Sequence, residues 1–137
     1  MDEVKLEPLR NATNALGWSL EAYADSEGMT DKQIDTLRSG VIHNFETAYE
    51  LAWKTLTHWM TVNMTPMLYA GMSKRELYRY AAQYGLIDDW ALWMDYHNAR
   101  NQTLHIYDEN IANEVFGWAK RFPDDARALA DRLEEKG

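Results

Sequence analysis

Apolar side chains recur every three or four residues along almost the whole sequence, and no stretch alternates with period two for long enough to argue a strand. That spacing keeps one stripe of a helix buried, so it restricts the chain to helix-on-helix packing. Leu6, Leu9, Thr13, Leu16, Leu20 and Tyr23 form a first stripe, broken at Ser26-Glu27-Gly28. Thr30 with Gln33 makes a capping box for a long second helix. Its main stripe is Ile34, Leu37, Val41, Phe45, Ala48, Ala52, Leu56 and Trp59. Ile42, Tyr49, Trp53 and Met60 give it a second apolar face. Asn63 to Gly71, containing Pro66, reads as a connection. Ser73 and Glu76 cap a short third helix that Gly85 ends, and Asp88 is the expected N-cap of a fourth carrying Trp90, Trp93, Met94 and His97. That helix should fray between Arg100 and Tyr107. Asp108 caps a last helix, with Ile111, Val115, Trp118 and Phe122 on its apolar stripe, which Pro123 is expected to kink or restart. The expected fold is all-α: one antiparallel up-and-down bundle of four to five helices over residues 1–137.

Composition narrows function. Hydrophobic residues make up 46% and charged residues 26%, which excludes a disordered chain. With no cysteine there are no disulfides, thiolate metal sites or thiol nucleophiles, as suits a reducing cytoplasm. A formal charge of −8 argues against coating DNA, while leaving room for a small basic pocket that handles one phosphate. The charged start Met1-Asp2-Glu3-Val4-Lys5 is not followed by an apolar core, so no signal peptide is expected, and no apolar run is long enough to cross a membrane. Six Trp and eight Tyr exceed what one small core is expected to hide, which hints at self-association.

Bundle chemistry often means a di-iron carboxylate site, which needs Glu-x-x-His twice. This chain has one reversed copy, His43-Asn44-Phe45-Glu46, and no Gly-rich phosphate loop, so neither a metal nor a cofactor is expected. Arg100-Asn101-Gln102-Thr103-Leu104-His105-Ile106-Tyr107-Asp108 is different. It gathers a guanidinium, an amide, an imidazole and a phenol where an apolar helix ends. On an unbroken helix Arg100 and His105 would stand about 140° apart. If the helix stops between them, both can reach one cleft, with Tyr107 beside them. An arginine fork clamps a phosphate and steadies charge growing on its oxygens. A histidine near neutral pKa takes a proton from a ribose 2′-hydroxyl or gives one to the leaving 5′-oxygen. The structural alternative pairs Arg100 with Asp95 and sets His105 on a helix C-terminal carbonyl.

This Arg-x4-His-x-Tyr pattern, at the junction of the last two long helices of an acidic all-helical chain, resembles the HEPN superfamily. It is most similar to the HepT-like branch, the nucleotidyltransferase substrate-binding proteins. Phe45-Glu46-Thr47-Ala48-Tyr49-Glu50-Leu51-Ala52-Trp53-Lys54 looks like that branch's second-helix signature. Gly85-Leu86-Ile87-Asp88-Asp89-Trp90 and Tyr107-Asp108-Glu109 flank the motif helix as in the family. The resemblance spans roughly residues 34–118 and departs at His97-Asn98-Ala99, where an acidic residue is expected near the Arg, and at Leu104, where a small polar residue is commoner.

The resemblance implies a homodimeric, metal-independent endoribonuclease, the toxin of a pair whose antitoxin is a minimal nucleotidyltransferase. Arg100 and His105 match the catalytic pair, Asn101 the polar residue after the Arg, and Tyr107 the tyrosine that the partner adenylylates. In the expected mechanism Arg100 clamps the scissile phosphate of RNA and His105 shuttles the proton, leaving a 2′,3′-cyclic phosphate and a 5′-hydroxyl. Asn101, Tyr107 and Glu46 are the expected substrate-binding residues. Glu50, four residues after Glu46 and four before Lys54, is expected to face solvent or pair with that lysine. Trp53, Trp90 and Trp93 read as core or interface rather than base-stacking platforms, and His43 and His58 as surface or satisfied core residues. The rival expectation is a non-catalytic subunit that presents substrate or nucleotide to its nucleotidyltransferase. A third is a purely structural dimer.

Overall fold

The computed structural model describes residues 3–64 and 71–137. They form five α-helices in the order α1 (Glu7–Ala24), α2 (Asp31–Asn63), α3 (Lys74–Gln83), α4 (Trp90–Gln102) and α5 (Glu109–Lys136), with a short 3₁₀ turn, Thr103–His105, between the last two. The described residues contain no strand, as the apolar spacing requires. Most of the Asn63–Gly71 connection, with Pro66, lies outside the described residues, as do Met1 and Asp2.

The helix ends follow local chemistry. The Thr30 hydroxyl accepts the Gln33 N–H at 3.1 Å and the Gln33 amide oxygen accepts the Thr30 N–H at 2.9 Å, a complete capping box. Ser73 is only half of one. Its Oγ accepts the Glu76 N–H at 3.2 Å, but the Glu76 carboxylate takes the Ser73 hydroxyl rather than its backbone N–H. Gly85, at φ +76°, closes α3, with Gly85 N–H on the Ala82 carbonyl and Leu86 N–H on that of Ala81. The cap of α4 is Asp89, not Asp88: Asp89 Oδ1 accepts from Ala91 and Leu92, while Asp88 reaches across to Arg132 of α5 at 2.7 Å. Pro123 does not restart the last helix either. α5 is continuous across it, because buried neighbours from Phe122 to Leu133 hold the segment against the core and offset the missing backbone hydrogen bond.

α1 and α5 run antiparallel, with Arg10 beside Asp131 and Glu134 at one end and Tyr23 stacked on Phe116 at the other. α2 lies along both of them. α4 packs on α5 and α2, and α3 packs on α4. The centre is aromatic. Phe122 sits with its ring centroid 4.8 Å from Tyr96, 5.4 Å from Phe45, 5.5 Å from Trp93 and 6.0 Å from Tyr49. Edge-to-face contacts of this kind add to the burial each ring brings. The core takes in only part of the Trp and Tyr complement, as expected: Tyr49, Tyr78 and Tyr96 are fully buried and Trp59 and Trp93 nearly so, while Tyr23, Trp53, Tyr80, Trp90 and Trp118 are half-buried and Trp18, Tyr84 and Tyr107 exposed. A buried tyrosine needs a partner for its hydroxyl. Tyr96 donates to Asp125, and the hydroxyls of Tyr49 and Tyr78 bond each other. The buried stripe of α4 is therefore Trp93, Tyr96 and Ala99, with Trp90, Met94 and His97 half-buried beside it.

Candidate functional site

α4 ends at Gln102, inside the interval where fraying is expected. Thr103 turns the chain: its buried hydroxyl donates to the Arg100 carbonyl at 2.7 Å, satisfying one of the acceptors a helix end leaves open. After one 3₁₀ turn the Asp108 N–H returns to the His105 carbonyl at 3.0 Å, and Asp108 Oδ1 caps α5 through Asn110 and Ile111. The corner between the helices is thus fully tied, with Leu104, His105 and Tyr107 on its outer side.

The corner divides the motif into two groups. Arg100 faces inward, half-buried, and its Nε lies 3.2 Å from Glu50 Oε1 of α2 in an ion pair. The contact lacks the angle of a hydrogen bond, so Arg100 Nε is buried without a hydrogen-bond partner among the described residues. Glu50 also accepts from Trp53 Nε1 at 3.2 Å and stands 3.9 Å from Lys54. Reading Glu50 as solvated or merely paired with Lys54 therefore misses its main contact. Arg100 does not pair with Asp95. Glu46 is half-buried on α2 and makes no hydrogen bond or ion pair among the described residues.

His105 faces outward. Its ring stacks edge-on to Tyr107 with centroids 6.1 Å apart, and Tyr107 and Leu104 are 85% and 76% exposed, above every other large apolar side chain among the described residues. No hydrogen bond links His105 to Arg100 among the described residues. The pair flanks one corner of the chain, Arg100 on its inner side and His105 on its outer side. Two cavities of the chain lie elsewhere. One, of about 1030 Å³, is bordered by Arg10, Asn14, Trp59 and Glu134; the other, of about 220 Å³, by Asp88, Arg121, Asp125 and Arg132.

Asn101 connects the corner to the interior. Its Nδ2 donates to His97 Nε2 at 3.3 Å, and His97 Nδ1 lies 3.1 Å from the Tyr49 hydroxyl, which bonds Tyr78. With the amide so oriented, Nδ1 carries the proton and donates to Tyr49. Burial, with the cations of Lys74 and Arg100 nearby, holds the His97 pKa below its ordinary value against the opposing pull of Glu50, so the ring is neutral at physiological pH. The Tyr49 phenol, desolvated, is pushed well above the usual range and keeps its proton. Sequence reasoning gave no site role to His97, Tyr49 or Tyr78, and set aside a cleft-facing Glu50 in favour of solvent or Lys54. The available signal was that His97, Arg100 and Asn101 share one face of α4 at spacings of three and four. His43 and His58 are exposed, Trp93 is core, and Trp53 and Trp90 are half-buried. No group of three or more His, Asp or Glu side chains among the described residues could hold a metal ion, and no described helix is long and apolar enough to cross a membrane.

An all-helical chain with an Arg/His corner between its last two helices defines a HepT-like bundle, and residues 4–135 match the family described as nucleotidyltransferase substrate binding protein like; the chain belongs to that family. Among individual proteins, it is 30% identical over 105 residues, 74% of this chain and 70% of the relative, to a probable ribonuclease HepT of Haemophilus influenzae. A solved Haemophilus influenzae structure, described as revealing the fold of a substrate binding domain of a nucleotidyltransferase, superposes with a TM-score of 0.88 at 27% identity, covering 95% of this chain and 99% of that one.

Proposed function

We propose that this chain is a metal-independent endoribonuclease, the toxin of a cytoplasmic pair completed by a minimal nucleotidyltransferase. The observation that carries the reading is the tied corner after Gln102, which sets an exposed imidazole at position 105 a few residues from a guanidinium anchored at position 100. Arg100 holds the scissile phosphate and stabilises charge on its oxygens. His105 moves the proton between the ribose 2′-hydroxyl and the leaving 5′-oxygen, giving a 2′,3′-cyclic phosphate. Asn101, Tyr107 and Glu46 contact the substrate. Because the two groups of one chain are not bonded to each other, a second copy closes the cleft as a homodimer, with the exposed Leu104 on the apolar surface it covers and Tyr107 left open to the cleft. Adenylylation of Tyr107 silences the site, since it adds bulk and negative charge where the RNA phosphate sits.

The relative described as a substrate binding domain favours a second reading, in which the same corner grips a nucleotide for the partner enzyme without cutting RNA. Purified protein incubated with RNA in EDTA separates the two. Cleavage by the wild type and its loss, by about 100- to 10,000-fold, in His105→Ala supports the nuclease, because His105 is exposed and its removal leaves the core intact. Equal inertness of both proteins, with retained binding of nucleotide and partner, supports the binding subunit.

A further inference from the structure

The net charge of −8 hides a strong asymmetry. Residues 51–87 carry four cationic side chains, Lys54, Lys74, Arg75 and Arg79, against one anionic, Glu76, so the remainder of the chain holds a net −11. Three of the four cations stand on α3, and their surroundings differ from those of the other basic residues. Every arginine outside α3 (Arg10, Arg38, Arg100, Arg121, Arg127 and Arg132) is ion-paired with a carboxylate. Arg75 and Arg79 have no carboxylate within ion-pair distance among the described residues, although 22 acidic side chains are available in the sequence.

The two α3 arginines lie over an aromatic ring instead. Arg75 and Arg79, four residues apart on one exposed face, sit 5.6 and 5.0 Å from the centroid of Trp90. Lys74 lies 3.5 Å from the centroid of Trp53, and Lys54 approaches the same ring at 5.7 Å. A cation resting on a ring face keeps all of its hydrogen-bond donors for a ligand, whereas one paired with a carboxylate commits some of them. Trp53 then continues the strip to the motif, since its indole N–H bonds Glu50, which pairs with Arg100. The result is an aromatic-backed row of cations that starts at α3 and leads, past the one carboxylate of Glu50, to the guanidinium of the candidate site.

From this we infer that α3 is a docking track for the phosphate backbone of single-stranded RNA, with Arg75 and Arg79 gripping phosphates of the strand whose scissile bond lies at Arg100 and His105. The inference rests on the nuclease reading for its occupant. Charge complementarity selects that occupant, because free guanidiniums at helical spacing above aromatic rings match a flexible polyanion, and a single strand stacks and bends where a duplex does not.

The test measures fluorescence anisotropy of a labelled oligouridylate on the full-length His105→Ala protein, which retains the track, and on the same protein with Arg75→Gln and Arg79→Gln added. Circular dichroism melts confirm that both fold, as expected for exposed side chains. Loss of the two arginines should weaken binding by roughly tenfold or more at low salt. It should also flatten the logarithmic salt dependence by about 1.4, at about 0.7 per phosphate contact on a single strand. Arg75→Lys with Arg79→Lys should restore most of the affinity. In the otherwise wild-type enzyme the Gln pair should raise KM for RNA while leaving kcat near its original value. Unchanged RNA affinity and KM in the Gln variant, with the wild type still cutting RNA, overturns the track and leaves the nuclease reading standing. Loss of nucleotidyltransferase binding with RNA affinity intact overturns it in favour of a protein-docking face. A wild type that neither binds nor cleaves RNA overturns both.

Discussion

Arg100 leans on Glu50 of α2, Nε to Oε1 at 3.2 Å, and not on any residue of its own motif. The carboxylate comes from a helix 50 residues earlier and fixes where the guanidinium points, so the aim of the phosphate-binding group is set by packing between α2 and α4. Glu50→Gln keeps the shape and removes the charge. Under the nuclease reading it should lower RNA cleavage by about tenfold, mostly in kcat, through a less well-oriented Arg100. Because both partners are about a third exposed, the cost in folding stability should stay near 1 kcal/mol. A double-mutant cycle with Arg100→Ala checks the relation, and additive losses of activity would show that Glu50 acts elsewhere.

The chain Asn101–His97–Tyr49–Tyr78, which runs from the surface into the core, gives acid sensitivity with a definite sign. The folded pKa of His97 lies below its unfolded value of about 6.5. Above that pH both states hold a neutral ring, and stability does not depend on it. As pH falls below about 6.5 the unfolded chain takes the proton first, so stability declines with acid until the folded ring also titrates. Urea midpoints measured from about pH 7.5 to 5 should show this slope, and His97→Gln should flatten it.

Phe122 is the hub of the aromatic core, touching rings from α2 and α4. Phe122→Ala should cost about 3–5 kcal/mol, with a lowered melting temperature, while Phe122→Leu should recover a good part of that. A loss below about 1 kcal/mol would mean that neighbouring rings collapse into the space.

Tyr107 projects into solvent and supports no other side chain through its hydroxyl. Tyr107→Phe should therefore fold with unchanged stability and keep its RNA cleavage within a few fold. In the presence of the nucleotidyltransferase and ATP it should resist silencing, whereas the wild type should gain the mass of one or more AMP groups and lose activity. Mass spectrometry of both proteins after the reaction decides the point.

The helices were legible in the sequence because their signals are local. The Thr30–Gln33 box, the Gly85 turn and the Asp108 cap each depend on residues within a few positions, and each stands where the spacing places it. Two neighbouring aspartates are equally able to cap α4, and the choice fell to Asp89 because Arg132, 44 residues after Asp88, engages that residue. Pro123 misled for a related reason: its helix-breaking tendency is local, while the packing that overrides it is tertiary. The same division runs through the candidate site. Arg100 and His105 are visible as a motif on one strand of sequence. Glu50 had a nearby partner in Lys54 that concealed its distant one, and His97 acquires meaning only from Tyr49, 48 residues away. Overall charge was the least informative quantity, because averaging over 137 residues erased the cationic stretch that includes α3.

The junction between α4 and α5 is fastened from both sides, by Thr103 onto the Arg100 carbonyl and by Asp108 onto the first amides of α5, with Arg38 gripping Glu109 at 2.6 Å just beyond. Its outward side chains are thus presented on a stiff knuckle rather than a swinging loop. Whatever molecule meets His105 and Tyr107 finds them already arranged, and loses little freedom of the protein in doing so. Amide hydrogens around this knuckle should accordingly exchange far more slowly than its solvent-facing position alone would imply.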